Sequence, residues 1–456
     1  MKKINRNKSI LIIAAALIFL GTSCKKTFYT DANRNLNAPD PTSIIPSVLL
    51  STVEGSLAYA QGGDISRFTS LITQQTSSTS RQAGAYYQYI FTSQDFDSPW
   101  GNLYTSVMQN DRTMINIADT KGDNGYGGIG RIIMAYSLQL LVDNWGPVPY
   151  SQAFKGSDQY QPVYDNDKAL YDTMFSLLNV GITMVTNTTV GSDAPGSEDV
   201  IYGGNLTNWA KFAHALKARL YIHQSKGNPT MAASALSEIA LSFTSNADNA
   251  QYVFGATETS ANPWYQFNEQ RGDITFDASP LGLQLKATND PRYMIFTTPD
   301  FSDVNQVGMG AYYGSISAPV EFITYDELLF MSAEAKLRTT GNVPSAQADY
   351  RSAITANLQK LGVSAVAVTT YVTANGTLPL TVPNAIAKVA SQEYIALYLN
   401  PEAFTLVRRT GSPTITPTSG TKIPRRFLYP ETEVSYNGKN VPKSVTLYAP
   451  PIFWDN

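Results

Sequence analysis

Apolar residues recur three or four positions apart in six segments of the first half of the chain: Ile44 to Ala60, Trp100 to Ala118, Ile129 to Leu141, Ala169 to Met184, Leu206 to His223 and Met231 to Leu241. Clusters of Gly, Asn, Ser and Pro at 121–128, 187–205 and 227–229 divide them. This half predicts helical hairpins in series. Between Asn246 and Pro319 the helical period fades into aromatic, Gly and Pro residues, with one short helical candidate at Ala278 to Ala287. Helices resume at Ile323 to Thr339, Ser345 to Leu361, Asn384 to Leu399 and, briefly, Glu402 to Arg409, and the end from Pro413 to Asn456 is Pro-rich, aromatic and extended.

The pattern predicts an all-α protein with a helical scaffold over about 42–245 and 321–411, a loop-rich insertion over 246–320 and an extended tail over 412–456. Leu328 to Ile354 has the texture of one tetratricopeptide unit: Ala333 and Ala335 allow close helix approach, Gly341 and Pro344 make the turn, and Ala346, Tyr350 and Ala353 form the second packing face. A plain helical hairpin would read the same way.

The first 23 residues have another character. Lys2, Lys3, Arg6 and Lys8 precede an apolar run from Ile10 to Leu20 that is too short to serve as a spanning helix, and Gly21, Thr22 and Ser23 are small. Cys24, the one cysteine of the chain, follows directly. This predicts a lipoprotein signal over 1–23, cleavage before Cys24 and a diacylglycerol anchor on its thiol, although Gly21 stands where such signals usually have Leu. The alternative is a secretory signal beside an incidental cysteine. The leader holds four of the 33 basic residues and none of the 36 acidic ones, which leaves 29 against 36, a net charge of -7, on residues 24–456. An acidic body of this kind argues against nucleic acid as a partner. With 27 Tyr against 19 Phe, many of its rings carry a hydroxyl and tolerate a wet edge.

Catalytic and metal readings find little support. His214 and His223 are nine residues apart, which places them on opposite sides of one helix, so they cannot share a metal. Asp95 and Asp97 would share a face on a strand, about 7 Å apart, but beside Ser98 and Pro99 they read more simply as turn charges. Asp119, Lys121 and Asp123 occupy the first, third and fifth places of a calcium loop whose sixth and twelfth places, Asn124 and Gly130, do not fit. Arg271-Gly272-Asp273 reads as a turn. No catalytic residue, metal site or cofactor is predicted.

Two runs carry sharper information. Asn144-Trp145-Gly146-Pro147-Val148-Pro149-Tyr150 ends a helix with alternate prolines that force the chain to leave extended, clamped by Trp145 and Tyr150. Further on, Glu402-Ala403-Phe404, Arg408-Arg409-Thr410-Gly411 and Pro424-Arg425-Arg426-Phe427-Leu428-Tyr429-Pro430-Glu431 bring paired arginines near Glu431 and Glu433, where they would lock the tail by charge-assisted bonds. At these residues the chain resembles the SusD/RagB family of outer-membrane nutrient-binding lipoproteins. Trp209 to Arg219, Tyr325 to Arg338, and Asn37 with Pro39 are similar to further stretches of that family. The resemblance implies one SusD-like domain over 24–456 with about four tetratricopeptide-like hairpins. It also implies a lipid-anchored, surface-facing position on the outer membrane, an oligosaccharide or peptide ligand, and a SusC-like TonB-dependent transporter as partner. The implied activity is binding, not catalysis.

The residues themselves suggest where a ligand would sit. Tyr86, Tyr87 and Tyr89 with Arg81 form one aromatic patch, and Trp264, Tyr265, Arg271 and Phe276 form another, with Asn262 or Asn268 to orient polar groups. The competing expectation is that these rings are loop core, since strand alternation would bury Tyr87, Tyr89 and Phe91 together. Two other classes remain open: a lipid-anchored glycan hydrolase, which needs a carboxylate pair in a cleft, and a helical-repeat scaffold for protein assembly, which needs no small-ligand site.

Overall fold

The computed structural model describes residues 44–188, 194–297 and 309–455. The leader, Cys24, Asn37 and Pro39 lie outside the described residues. Among the described residues the α-helices of six residues or more are α1 Pro46–Ala60, α2 Ser66–Ile72, α3 Arg81–Tyr87, α4 Gln109–Lys121, α5 Asn124–Trp145, α6 Asp167–Thr186, α7 Leu206–His223, α8 Pro229–Ile239, α9 Pro263–Gln270, α10 Pro280–Ala287, α11 Tyr325–Thr340, α12 Val343–Lys360, α13 Ala365–Asn375, α14 Val382–Ala396, α15 Glu402–Thr410 and α16 Glu431–Tyr436. The described strands are β1 Ala250–Val253 and β2 Pro319–Ile323. The fold is all-α.

Local chemistry sets many of the boundaries. Asn166, Asn205 and Asn228 accept backbone N–H bonds at the starts of α6, α7 and α8, and Ser364 does so for α13. Gly122, Gly341 and Gly411 end α4, α11 and α15 in the left-handed conformation that suits glycine. Every residue from Gly125 to Trp145 except Arg131 is buried, which makes α5 the central helix of the frame. A Cβ at Gly128 would lie 2.7 Å from Val185 Cγ1 and 3.0 Å from the Gly181 carbonyl, so α5 and α6 meet more closely than a side chain there permits.

Each helix from α4 to α8 packs on its neighbour in sequence, and α8 then packs on α11, so the frame continues across the insertion. Antiparallel β1 and β2 close the insertion's neck, pairing Ala250 with Ile323 and Val253 with Pro319. Beyond it α11 and α12 form the hairpin expected of the tetratricopeptide-like segment. Ala333, Ala346, Tyr350 and Ala353 are fully buried in a core shared with Val368, Ala385 and Val389.

The Trp145 exit holds the tail. Gly146, at φ 81°, ends α5; Trp145 Nε1 donates to the Leu428 carbonyl (2.9 Å) and the Phe427 N–H to that of Asn144 (2.7 Å). The paired arginines do lock the tail, but not through Glu431 and Glu433. Arg408 donates to the carbonyls of Asp143 (2.7 Å) and Arg425 (2.8 Å), Arg409 pairs with Glu334 (2.5 Å), Arg425 with Asp455 and Arg426 with the Trp145 carbonyl. Glu433 instead accepts from the Tyr164 hydroxyl (2.7 Å). Arg408 and Arg426 thus find carbonyls at the end of α5, which a helix leaves without intrahelical partners, whereas Arg409 and Arg425 find carboxylates other than Glu431 and Glu433.

Candidate functional site

The surface around α3 is built by a break in the first helix. After α1 the chain makes a π-type turn over Gln61–Ile65, in which Gly63 leaves helical geometry at ψ −126°. A Cβ at Gly62 would come within 2.6 Å of Val320 Cγ2, so β2 presses directly against this turn. α2 then carries Arg67 and Phe68, and α3 returns along it. Between them Ser77 pairs with Thr275 through two 2.8 Å backbone bonds, which join α3 to the insertion.

These elements enclose an open groove of about 600 Å³ lined by Asp64, Phe68, Gln82, Tyr86, Ile90 and Asp95. Tyr86 is its half-buried ring, stacked on Phe91 (centroids 4.7 Å, planes 5° apart) and set edge-on to Phe68 (4.9 Å). Its hydroxyl donates to Asp95 Oδ1 (2.5 Å), and Gln82 Nε2 donates to the same oxygen (3.1 Å). Asp95 Oδ2 accepts from the N–H (2.7 Å) and hydroxyl (2.9 Å) of Thr92. Burial, reinforced by the Asp95 bond and charge, pushes the Tyr86 hydroxyl well above the ordinary tyrosine value, so it remains a donor. The charged residues that line the groove, Asp64 and Asp95, are acidic. Arg67 pairs with Asp64 (2.6 Å) and lies 4.8 Å from the Phe267 ring centroid, and Arg271 lies 5.7 Å from that ring while pairing with Asp273 (2.9 Å). Arg81 Nη1 donates to the Arg271 carbonyl (3.0 Å), so the two sequence-predicted patches adjoin.

The predicted residues divide by burial. Arg81, Tyr86, Tyr87, Tyr265 and Arg271 keep exposed surface. Trp264, Phe276 and Tyr89, expected to meet a ligand, are 2%, 0% and 5% exposed and belong to the core. Trp264 Nε1 donates to Ser66 Oγ (2.9 Å), Phe276 packs on Tyr398 and Phe296, and the Tyr89 hydroxyl accepts from the Thr418 N–H (3.3 Å). α3 and α9 are helical where loops were expected, and in α9 Trp264 is buried while Phe267, three positions on, lies between two guanidinium groups. Phe267, Arg67, Asp64 and Gln82 went unnoticed. The Trp264 and Phe267 pair at helical spacing was the available signal.

A family signature described as "Starch-binding associating with outer membrane" matches residues 38–430. The chain belongs to the SusD-like family. Solved structures agree in fold: a SusD/RagB family protein from Bacteroides thetaiotaomicron (22% identity, TM-score 0.78, covering 91% of this chain and 99% of that one), a chitin-binding protein (22%, 0.73, 90% and 100%) and a chitin-binding SusD homolog from Flavobacterium johnsoniae (19%, 0.70, 90% and 97%). At these identities the likeness is one of fold. No curated protein matches the chain significantly.

The other chemical candidates of this SusD-like chain have structural duties. Asp95 sits in a 3-10 turn rather than a strand, and Asp97 Oδ1 accepts from the N–H (2.9 Å) and hydroxyl (2.8 Å) of Thr432. Asp119 pairs with Arg131 (2.7 Å) and His214 with Glu238 (2.6 Å). Asp143, His223 and Glu402 gather in the core with ligand-type atoms within 4.8 Å of one another. Yet His223 spends Nδ1 on the Tyr171 hydroxyl and Nε2 on Glu402 (both 2.8 Å), while Asp143 accepts from Tyr171 (2.5 Å), Gln139 (2.7 Å) and Trp454 (3.0 Å). Both imidazole nitrogens and both carboxylates are thus engaged in hydrogen bonds within the core. Among the described residues no helix is long and apolar enough to cross a membrane.

Proposed function

We propose that this SusD-like protein captures an oligosaccharide in the Tyr86 groove while tethered to the outer membrane through lipid on Cys24, and delivers it to a SusC-like TonB-dependent transporter. The observation that carries the binding step is the Tyr86 ring, held by Phe91 and Asp95 on the side of an open groove whose rim is made of neutral and charged polar groups. A fixed aromatic face suits the apolar face of a sugar ring, and Gln82, Thr92 and Gln94 offer polar groups for its hydroxyls. The family description names starch, two structural neighbours are named for chitin, and an extended polar glycan fits an open groove better than a deep apolar pocket would. The carboxylates nearest the groove are engaged in holding Tyr86 and the turn, which favours binding over hydrolysis.

Calorimetric titration with chito-, malto- and xylo-oligosaccharides tests the ligand class: binding of one series, unchanged sugar after incubation, and loss of binding on Tyr86→Ala are expected. The transporter is tested by affinity purification from native membranes after detergent extraction, because a lid over a barrel buries a large surface. Repeated recovery of the protein alone would remove that part of the reading.

A further inference from the structure

A second hollow, about 190 Å³, lies across the Thr92–Asp95 turn from the Tyr86 groove. The turn separates the two by alternation: Thr92, Gln94 and Asp95 line the groove, whereas Ser93 lines the second hollow. Leu428 and Val441 give the hollow an apolar floor, Val434 forms one wall, and Lys443 and Ser444 make its exposed rim. Ser444 holds φ 60°, a left-handed conformation that serine rarely adopts. The relative placement of the hollows is fixed, because Asp97, at the end of the turn, accepts two bonds from Thr432 at the start of α16, the helix that carries Val434.

We propose that this hollow is a second subsite for the same glycan, so that the protein recognises a chain laid across the Thr92–Asp95 turn and not a single terminal sugar. The proposal rests on the glycan reading of the Tyr86 groove. Like the groove, the hollow sets apolar side chains, here Leu428, Val434 and Val441, beside polar ones, here Ser93, Lys443 and Ser444, an arrangement that suits a neutral sugar ring. The four-residue 3-10 turn between them is about 8 Å long at ~2 Å per residue, a short step for an extended oligosaccharide. Thr92 and Gln94 are exposed on the crest, where a crossing chain would pass. Since the Asp97 and Thr432 bonds hold both hollows in register before binding, a chain occupying the first meets the second at high effective concentration.

The test compares a disaccharide with a hexasaccharide of the chito, malto and xylo series by calorimetry on the full mature protein. In the series that binds, the hexasaccharide is expected to bind the unaltered protein at least tenfold tighter. Val434→Trp, which fills the hollow, and Lys443→Ala should each remove most of that gain and leave disaccharide binding in place. Val434 and Lys443 are both exposed, and Lys443→Ala decides the matter if Val434→Trp lowers the melting temperature. If both variants keep the full length dependence while Tyr86→Ala abolishes binding, the groove stands and the second subsite is wrong. If no series binds the unaltered protein at either length, the glycan reading falls and the subsite with it.

Discussion

Tyr86 and Asp95 are locked together across the candidate groove: the phenol donates to the carboxylate over 2.5 Å, and the same carboxylate caps its own turn through Thr92. The ring is therefore held in one orientation before a ligand arrives, which reduces the entropy lost on binding. Tyr86→Ala should weaken glycan binding by about 1 kcal/mol or more. Tyr86→Phe separates the ring from its hydroxyl. It should keep most of the affinity if stacking dominates and lose it if the Asp95 bond orients the ring, as calorimetry on the two variants would reveal.

Trp264 is expected to behave in the opposite manner. Its indole is 2% exposed and satisfies Ser66, whose hydroxyl continues to the Leu399 carbonyl (2.6 Å). Trp264→Ala should cost about 3–5 kcal/mol of stability, seen as a lower denaturation midpoint. A variant that melts normally yet binds weakly would return this ring to the ligand surface.

The contrast between these two rings marks what was legible in the sequence. Leu206–His223 was readable end to end because Asn205 caps it and its apolar face repeats without interruption. α13 was missed because Val, Ala and Thr surround it on all sides and only Val368 is buried, which leaves no stripe to detect. α3 was missed because seven residues containing Gly and two Tyr resemble a loop. The groove combines α2, α3 and the turn after it, brought against α9 from nearly 200 residues away through Ser77 and Thr275, and no local pattern encodes that pairing. Thus Tyr86, Arg81 and Arg271 could be proposed from composition, whereas Asp64, Arg67 and Phe267 needed the packing.

Cys24 lies outside the described residues, so its role is tested in cells. Wild-type protein should incorporate labelled palmitate and pellet with membranes, and Cys24→Ala should do neither. A variant that still takes label and still pellets would point to another anchor.

Glu54 and Asp199 bring two carboxyl groups into the core, 0% and 1% exposed. Asp199 accepts four bonds, from the N–H groups of Ile201, Tyr202 and Gly204 and from Trp209 Nε1. It is therefore the group equipped to carry charge. Glu54 accepts one, from the Val200 N–H (2.8 Å), and burial followed by the Asp199 charge pushes its pKa from 4.5 up to about 10. The folded chain then keeps a proton that the unfolded chain releases above pH 4.5. This contribution to stability is complete below that value and is lost as pH rises through about 10, at most about 1.4 kcal/mol per pH unit. Glu54→Gln holds a neutral amide throughout. Urea denaturation between pH 5 and 9 should show wild type losing ground to the variant as pH rises, and a constant difference would mean that Glu54 is ionised in the fold.

Arg219 and Glu327 meet fork to fork in the centre of the helical frame, with Nε to Oε1 at 2.7 Å and Nη2 to Oε2 at 2.8 Å, both side chains 1% exposed. Burial raises the Glu327 carboxyl to about 7, against the pull of the Arg219 charge, so the pair has surrendered much hydration to reach this position. Removing one partner leaves the other charge buried without its counterion. Arg219 also donates to the Phe322 carbonyl (2.7 Å) at the neck of the insertion, so its loss frees a further buried group. Glu327→Ala and Arg219→Ala should each destabilise by about 3–5 kcal/mol, whereas Arg219→Met combined with Glu327→Leu should recover most of that loss. A double-mutant cycle in urea decides the point. If the apolar pair is as unstable as either single variant, the interaction is needed for the fold itself, and the contact of α7 with α11 depends on charge more than on packing.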